Sequence, residues 1–186
     1  VSFAFRDLHN GIFVAEAMSN KESESIKRDV TWSTGTESPY VTYKGFQLKG
    51  HTVGIVGCGG IGRRVGALCH AFGCTVLGCD PFLTQDMLPD YIELLPLEEL
   101  AERSDIITVH LKDSPATEKI MNAKIFKKMK KTAFLINTSR GAVIDEEALI
   151  QALRDGEIAG AGIDVFNSEP IASDHPYFEM GDRVVI

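Results

Sequence analysis

Along the 186-residue chain, short continuous apolar runs alternate with stretches in which apolar side chains recur at helical spacing. The runs are residues 52–56, 75–79, 106–109, 132–136, 158–163 and 184–186, and none alternates apolar with polar positions. Strands of a parallel sheet covered on both faces require that pattern. Between the first two runs, residues 61–72 set Ile61, Val65, Leu68, Cys69 and Phe72 on one helical face, and Gly73 closes the segment. A second helix follows Pro96 over residues 97–103, with Leu97, Leu100 and Ala101 inward. Asn122 caps a third over 123–131, burying Ile125, Phe126 and Met129, and Asp145 caps a fourth over 146–155, burying Leu149, Ile150 and Leu153. Strand and helix alternating at this period predict an α/β fold with a doubly wound parallel sheet.

Residues 1–45 are less patterned. They are polar through 19–25 and turn-rich through 33–39, with one short helix expected over residues 11–18. We therefore read 1–45 as an N-terminal helix and arm, and 46–186 as the folded domain. The chain opens at Val1 without Met and stops inside its last apolar run, so it reads as a piece of a longer protein.

Composition excludes several classes. Apolar residues are 44% and charged residues 24%, the balance of an ordinary globular chain. No run approaches the roughly 18 apolar residues of a membrane span. Nineteen basic against 26 acidic side chains leave a formal charge of −7, which repels a polyphosphate backbone and argues against nucleic acid as a partner. Cys58, Cys69, Cys74 and Cys79 lack the paired spacing of a zinc or redox site, so no metal is expected and reduced thiols in a cytoplasmic protein are. The lysines at 124, 127, 128, 130 and 131 read as a solvated helix end in place of a binding patch. Asn137-Thr138-Ser139 matches a glycosylation sequon but reads as the end of a strand.

The chemistry concentrates after the first strand. Gly57-Cys58-Gly59-Gly60-Ile61-Gly62 is a GxGxxG run leaving a strand and opening a helix. In that context Gly57 allows the tight turn, Gly59 lets the backbone approach a pyrophosphate, and Gly62 lets helix and strand pack closely. The helix N-terminus offers free N–H groups and partial positive charge to phosphates. Asp80 stands 18 residues beyond Gly62, at the end of the second strand, where a carboxylate accepts the ribose hydroxyls of the adenosine half. No Arg follows in Pro81-Phe82-Leu83 to neutralise a 2′-phosphate, so the cofactor expected is NAD, not NADP.

Four segments carry a resemblance. They are Gly54 through Gly62; Ser104-Asp105-Ile106-Ile107-Thr108-Val109-His110; Leu135-Ile136-Asn137-Thr138-Ser139-Arg140-Gly141; and Gly160-Ala161-Gly162-Ile163-Asp164-Val165-Phe166 running to Glu169-Pro170. From about Lys49 onward the chain resembles the Rossmann-type coenzyme domain of the D-isomer-specific 2-hydroxyacid dehydrogenases, enzymes of two domains. The resemblance implies hydride transfer between NAD(H) and a small 2-hydroxy or 2-keto acid. It makes Arg140 the catalytic arginine and Glu169 the acid that pairs with a catalytic histidine. It assigns Gly60, Ile61, His110, Thr138 and Asp164, with Gly57, Gly59, Gly62 and Asp80, to the cofactor. It also implies a homodimer in which residues 1–45 supply a crossing helix and dimerisation arm.

The chemistry agrees for Arg140, because a guanidinium can hold a carboxylate and a polarised carbonyl with directed donors. Two departures stand out. Lys112 occupies a position where the family usually has Pro, which puts the local cofactor contact in question. The Pro-His pair that carries the family's histidine lies beyond the strand at 184–186, so the chain by itself is expected to be inactive; His175 precedes Pro176 upstream and is not that residue. A second reading is a nucleotide-sensing module like the corepressors that share this fold. A third, formate dehydrogenase, is disfavoured because an amide replaces the acid at the Glu169 position there.

Overall fold

The computed structural model describes Phe5–Asp7, Ile12–Val14 and residues 46–186. The chain divides into two units, Val1–Gly50 and His51–Ile186. In the first, β1 (Phe5–Asp7), β2 (Ile12–Val14) and β3 (Phe46–Gln47) form an antiparallel sheet with β2 in the middle. The helix expected over residues 11–18 is therefore corrected at its centre: Ile12-Phe13-Val14 is a run of β-branched and aromatic residues, and it is extended. The rest of that segment lies outside the described residues. Phe46–Gln47, assigned from sequence to the folded domain, is the third strand of this small sheet.

In the second unit each apolar run contains or overlaps a strand. These are β4 (Thr52–Val56), β5 (Thr75–Cys79), β7 (Ile106–Val109), β8 (Phe134–Asn137), β9 (Gly160–Ile163) and β10 (Val184–Val185). The sequence reading missed β6 (Ile92–Leu94), a three-residue edge strand too short to show a period. The sheet order is β10-β9-β8-β7-β4-β5-β6 with every pairing parallel. The chain leaves β4 toward β5 on one side and returns to β7 on the other. That reversal opens a crevice beyond the carboxyl ends of β4 and β7, where such sheets take their ligands.

Helices α1 (Gly60–Ala71), α2 (Leu97–Arg103), α3 (Ala123–Phe126) and α4 (Glu146–Arg154) connect the strands. Asn122 caps α3 by accepting from Lys124 and Ile125 N–H, and Asp145 caps α4 by accepting from Ala148 N–H. The face expected for α1 is corrected. Ile61 is 69% and Leu68 59% exposed, whereas Gly62 and Gly66 are buried. Val65, Cys69 and Phe72 of the expected face are half-buried, but the closest approach to the sheet is made at Gly62, where a Cβ would meet the Gly57 carbonyl oxygen, and Ile61 and Leu68 point outward. Helix α3 ends at Phe126, short of the expected residue 131, because the chain tightens there: Lys128 N–H bonds Ile125 C=O, a three-residue reach, at 2.9 Å. Ile125, Phe126 and Met129 are nonetheless buried, in a core shared with Leu135, Leu149 and Leu153.

The lysine cluster is largely neutralised. Lys124 pairs with Glu98 at 2.8 Å, Lys128 with Glu102 at 2.5 Å, and Lys130 with Asp105 at 2.8 Å. Exposed pairs like these are each worth roughly 0–1 kcal/mol, but they offset three of the five lysines in the cluster. Among the described residues, no helix is long and apolar enough to cross a membrane, and no group of three or more His, Cys, Asp or Glu is placed to hold a metal ion.

Candidate functional site

The turn from β4 into α1 is built by contacts that exclude side chains. Gly57 has φ +97°, in the left-handed region that glycine tolerates, and a Cβ there would lie 2.8 Å from the His110 carbonyl oxygen. Its N–H donates to the Cys79 carbonyl at 2.8 Å, and His110 N–H donates to the Val56 carbonyl at 2.8 Å, so the turn is tied to both neighbouring strands. A Cβ on Gly62 would stand 2.0 Å from the Gly57 carbonyl oxygen, which sets how closely α1 approaches β4. Gly59 and Gly60 are different. A Cβ on either meets nothing within 4 Å, so the space in front of the α1 N-terminus is open.

Asp80 leaves β5 half-buried beside this turn. Its Oδ2 accepts Cys58 N–H and its Oδ1 accepts Phe82 N–H, each at 3.0 Å. A carboxylate offers about four acceptor directions, so two remain for hydroxyls.

A cleft of about 570 Å³ opens at the crevice. Its walls are Gly59, Gly60 and Ile61; then His110, Leu111, Lys112 and Asp113 after β7; and Thr138, Ser139 and Arg140 after β8. His110 shares a 3.0 Å hydrogen bond between its Nε2 and Thr108 Oγ1, and burial lowers its pKa, which favours a neutral ring.

The buried Asn137 shapes the turn that presents Arg140. Its Nδ2 donates to the Arg140 carbonyl at 2.9 Å, and its Oδ1 accepts from Ser139 N–H at 3.1 Å and Ser139 Oγ at 2.9 Å. Its carbonyl accepts Asp164 N–H at 3.0 Å, tying the end of β8 to the end of β9. Gly141 follows, and a Cβ there would lie 2.2 Å from both the carbonyl carbon and the oxygen of Phe166. Phe166 N–H in turn donates to Glu169 Oε1 at 3.2 Å. Arg140 and Glu169, 29 positions apart in sequence, thus rise from two turns locked back to back.

Residues 14–186 match the family model described as D-isomer specific 2-hydroxyacid dehydrogenase, NAD binding domain. The chain belongs to this family.

This NAD-binding domain is 35% identical over 180 residues to a glyoxylate reductase of Korarchaeum cryptofilum, covering 96% of the chain and 54% of that protein. It is 40% identical over 148 residues to a glycerate dehydrogenase of Methylorubrum extorquens, covering 80% of the chain and 45% of the relative. Its structure superposes with a TM-score of 0.74 and 30% identity on D-lactate dehydrogenase from Aquifex aeolicus complexed with NAD and lactic acid, across 89% of this chain and 53% of that one. The chain spans about half the length of the curated relatives it matches.

The residues present fit NAD. The open space at Gly59 and Gly60 leaves room for phosphates at the α1 N-terminus, and Asp80 retains free acceptor directions beside it. Cys58, inside the glycine run, is no nucleophile: burial first, then the Asp80 charge, push its pKa up to about 11. All four cysteines are free thiols. Of the residues expected at the site, the cleft brings together Gly59, Gly60, Ile61, His110, Thr138 and Arg140. Gly57 and Gly62 lie beneath it as scaffold, while Asp164 and Glu169 stand exposed in the loop after β9, outside the cleft wall. Asn137, which the sequon match and strand-end pattern do not single out, is a further residue that supports the site. An Asn three residues before an Arg-Gly turn was the available signal, because short amides fold the backbone onto themselves.

Proposed function

We propose that this domain serves a dehydrogenase interconverting 2-hydroxy and 2-keto acids. The observation that carries the reading is a single cleft shared by the phosphate-facing glycines and Arg140. NAD, when bound, supplies the hydride acceptor for the hydroxy acid and the donor for the keto acid. The chain's residues do the rest. The α1 N-terminus, approached past Gly59 and Gly60, receives the phosphates, and the free acceptor directions of Asp80 take the ribose hydroxyls. Ile61, His110 and Thr138 line the path, and Asp164, in the loop after β9, serves the cofactor from outside the cleft wall. Arg140 holds the keto acid's carboxylate and stabilises negative charge on its carbonyl oxygen. Glu169 orients the imidazole that donates the proton and raises its pKa.

His175 does not serve as that imidazole. Its Nδ1 accepts Tyr177 N–H at 3.3 Å, and its Nε2 sits 3.4 Å from Glu146. We therefore expect the 186-residue chain alone to bind NADH and to turn over no keto acid. We place the protein in the cytoplasm on its free thiols. We also expect a homodimer, with residues 1–45 forming the arm between subunits. Sedimentation at micromolar concentration is expected to give a dimer that weakens once residues 1–45 are removed; a monomer with the arm intact contradicts this.

Cofactor titration tests the reading itself. NADH is expected to bind more tightly than NADPH, because a 2′-phosphate would meet the Asp80 charge. Asp80→Ala should lower NADH affinity roughly 10- to 100-fold, through loss of a charged acceptor, and narrow the gap between the two cofactors. Equal affinities in the unmodified chain would remove the assignment.

A further inference from the structure

The charged side chains lining the cleft are Lys112, Asp113 and Arg140. Arg140 follows β8, two strands from β4, and its Nη1 donates to its neighbour Ser139's carbonyl at 2.6 Å. Lys112 starts closer to the glycine turn. It follows β7, the direct neighbour of β4, and lies two residues beyond His110, whose carbonyl packs on Gly57. The Leu111 side chain packs there too, 3.0 Å from where a Gly57 Cβ would stand. The Lys112 backbone is pinned: its carbonyl accepts Thr117 Oγ1 at 2.6 Å, and Thr117 and Glu118 N–H both close onto the Ser114 carbonyl. Its side chain is exposed. Lys119, Lys124, Lys128 and Lys130 each pair with a carboxylate; Lys112, like Lys127 and Lys131, forms no ion pair among the described residues, and of these three only Lys112 lines the cleft.

We propose that Lys112 is a cofactor-binding residue whose ammonium pairs with the pyrophosphate of the dinucleotide, from the cleft wall that follows β7. The inference rests on the NAD-binding role given above. A pyrophosphate carries two negative charges, and a helix N-terminus offers only about half a positive one. In a chain of net charge −7, a cation in the cleft offsets part of the remainder. Lysine suits the task because a compact charge on a flexible four-carbon stem can reach either phosphate.

The test compares NADH with ADP-ribose, which keeps the pyrophosphate and lacks the nicotinamide, by calorimetric titration at low and high salt. Lys112→Ala is expected to weaken both ligands about three- to tenfold at low ionic strength, with the difference shrinking as salt rises. Lys112→Arg should keep most of the affinity, and Lys124→Ala, which removes a lysine paired with Glu98, should change neither ligand. Thermal midpoints should stay level across the set, because each side chain replaced is exposed. Unchanged affinity in Lys112→Ala overturns the proposal, as does an equal loss in Lys124→Ala, which would report net charge alone. A loss confined to NADH would move Lys112 to the nicotinamide half and overturn the pyrophosphate assignment. Failure of the unmodified chain to bind NADH is a separate result, and it sinks the underlying reading.

Discussion

Gly59→Ala is expected to cost about a hundredfold in NADH affinity and almost nothing in stability, whereas Gly62→Ala should cost about 3 kcal/mol of stability or more. The two glycines stand three residues apart in one turn. At Gly59, φ −69° and ψ −161° are extended backbone that alanine adopts freely, and the added methyl meets no protein atom within 4 Å. It fills instead the space that the dinucleotide's phosphates must enter. At Gly62, inside α1, alanine would ordinarily gain about 1 kcal/mol in helix propensity. Here the sign reverses, because the methyl would sit 2.0 Å from the Gly57 carbonyl oxygen. That carbonyl cannot swing aside: Gly57 N–H is bonded to Cys79, and the His110 backbone packs against its Cα. A loss of about 3 kcal/mol lowers the melting midpoint of a domain this size by roughly 6–12 °C. Scanning calorimetry beside NADH fluorescence titration separates the two effects. A destabilised Gly59→Ala that still binds NADH would show that the open space is not the phosphate site.

The same turn marks where the sequence could be read and where it could not. Strands β4, β5 and β7 fall on the expected residues because central parallel strands are buried on both faces and leave unbroken apolar runs. The Asn122 and Asp145 caps were legible for a similarly local reason, since each side chain bonds the backbone two or three residues ahead. The burial of α1 was not. Periodicity counts large apolar residues and named Ile61 and Leu68, but backbone-to-sheet contact is made by residues with no side chain to count. Edge strand β6 is held by pairing with β5 and by the Leu95 N–H bond to Gly78, partners that lie well upstream in sequence. The cleft wall at Lys112 depends on Thr117 folding its loop, and the Arg140 turn on Asn137 and on Gly141 meeting Phe166. Motif spacing located Arg140 and Glu169, but the contact that locks their turns together is tertiary.

That contact gives the prediction with the largest effect on turnover. In a protein extended to the length of the relatives described above, Arg140→Ala is expected to lower kcat/KM for a 2-keto acid by about a thousandfold or more. Removing one donor to a developing oxyanion costs about 10²–10³-fold by itself, and the same guanidinium also holds the carboxylate. NADH affinity should change little, because Arg140 sits on the β8 side of the cleft, away from the glycines at the α1 N-terminus. Stability should hold as well: the Arg140 side chain is exposed, and its carbonyl, which Asn137 binds, survives the substitution. Arg140→Lys keeps the charge and loses the planar fork, so it should recover only part of the activity. Asn137→Ala offers the contrast. With Arg140 present but its turn unsupported, NADH binding should persist while keto-acid turnover falls and the melting midpoint drops, because Ser139 N–H and the Arg140 carbonyl lose their partner. Steady-state kinetics, NADH titration and calorimetry on the three variants decide the matter: near-normal turnover in Arg140→Ala would remove the substrate role of the guanidinium, whatever Asn137→Ala does.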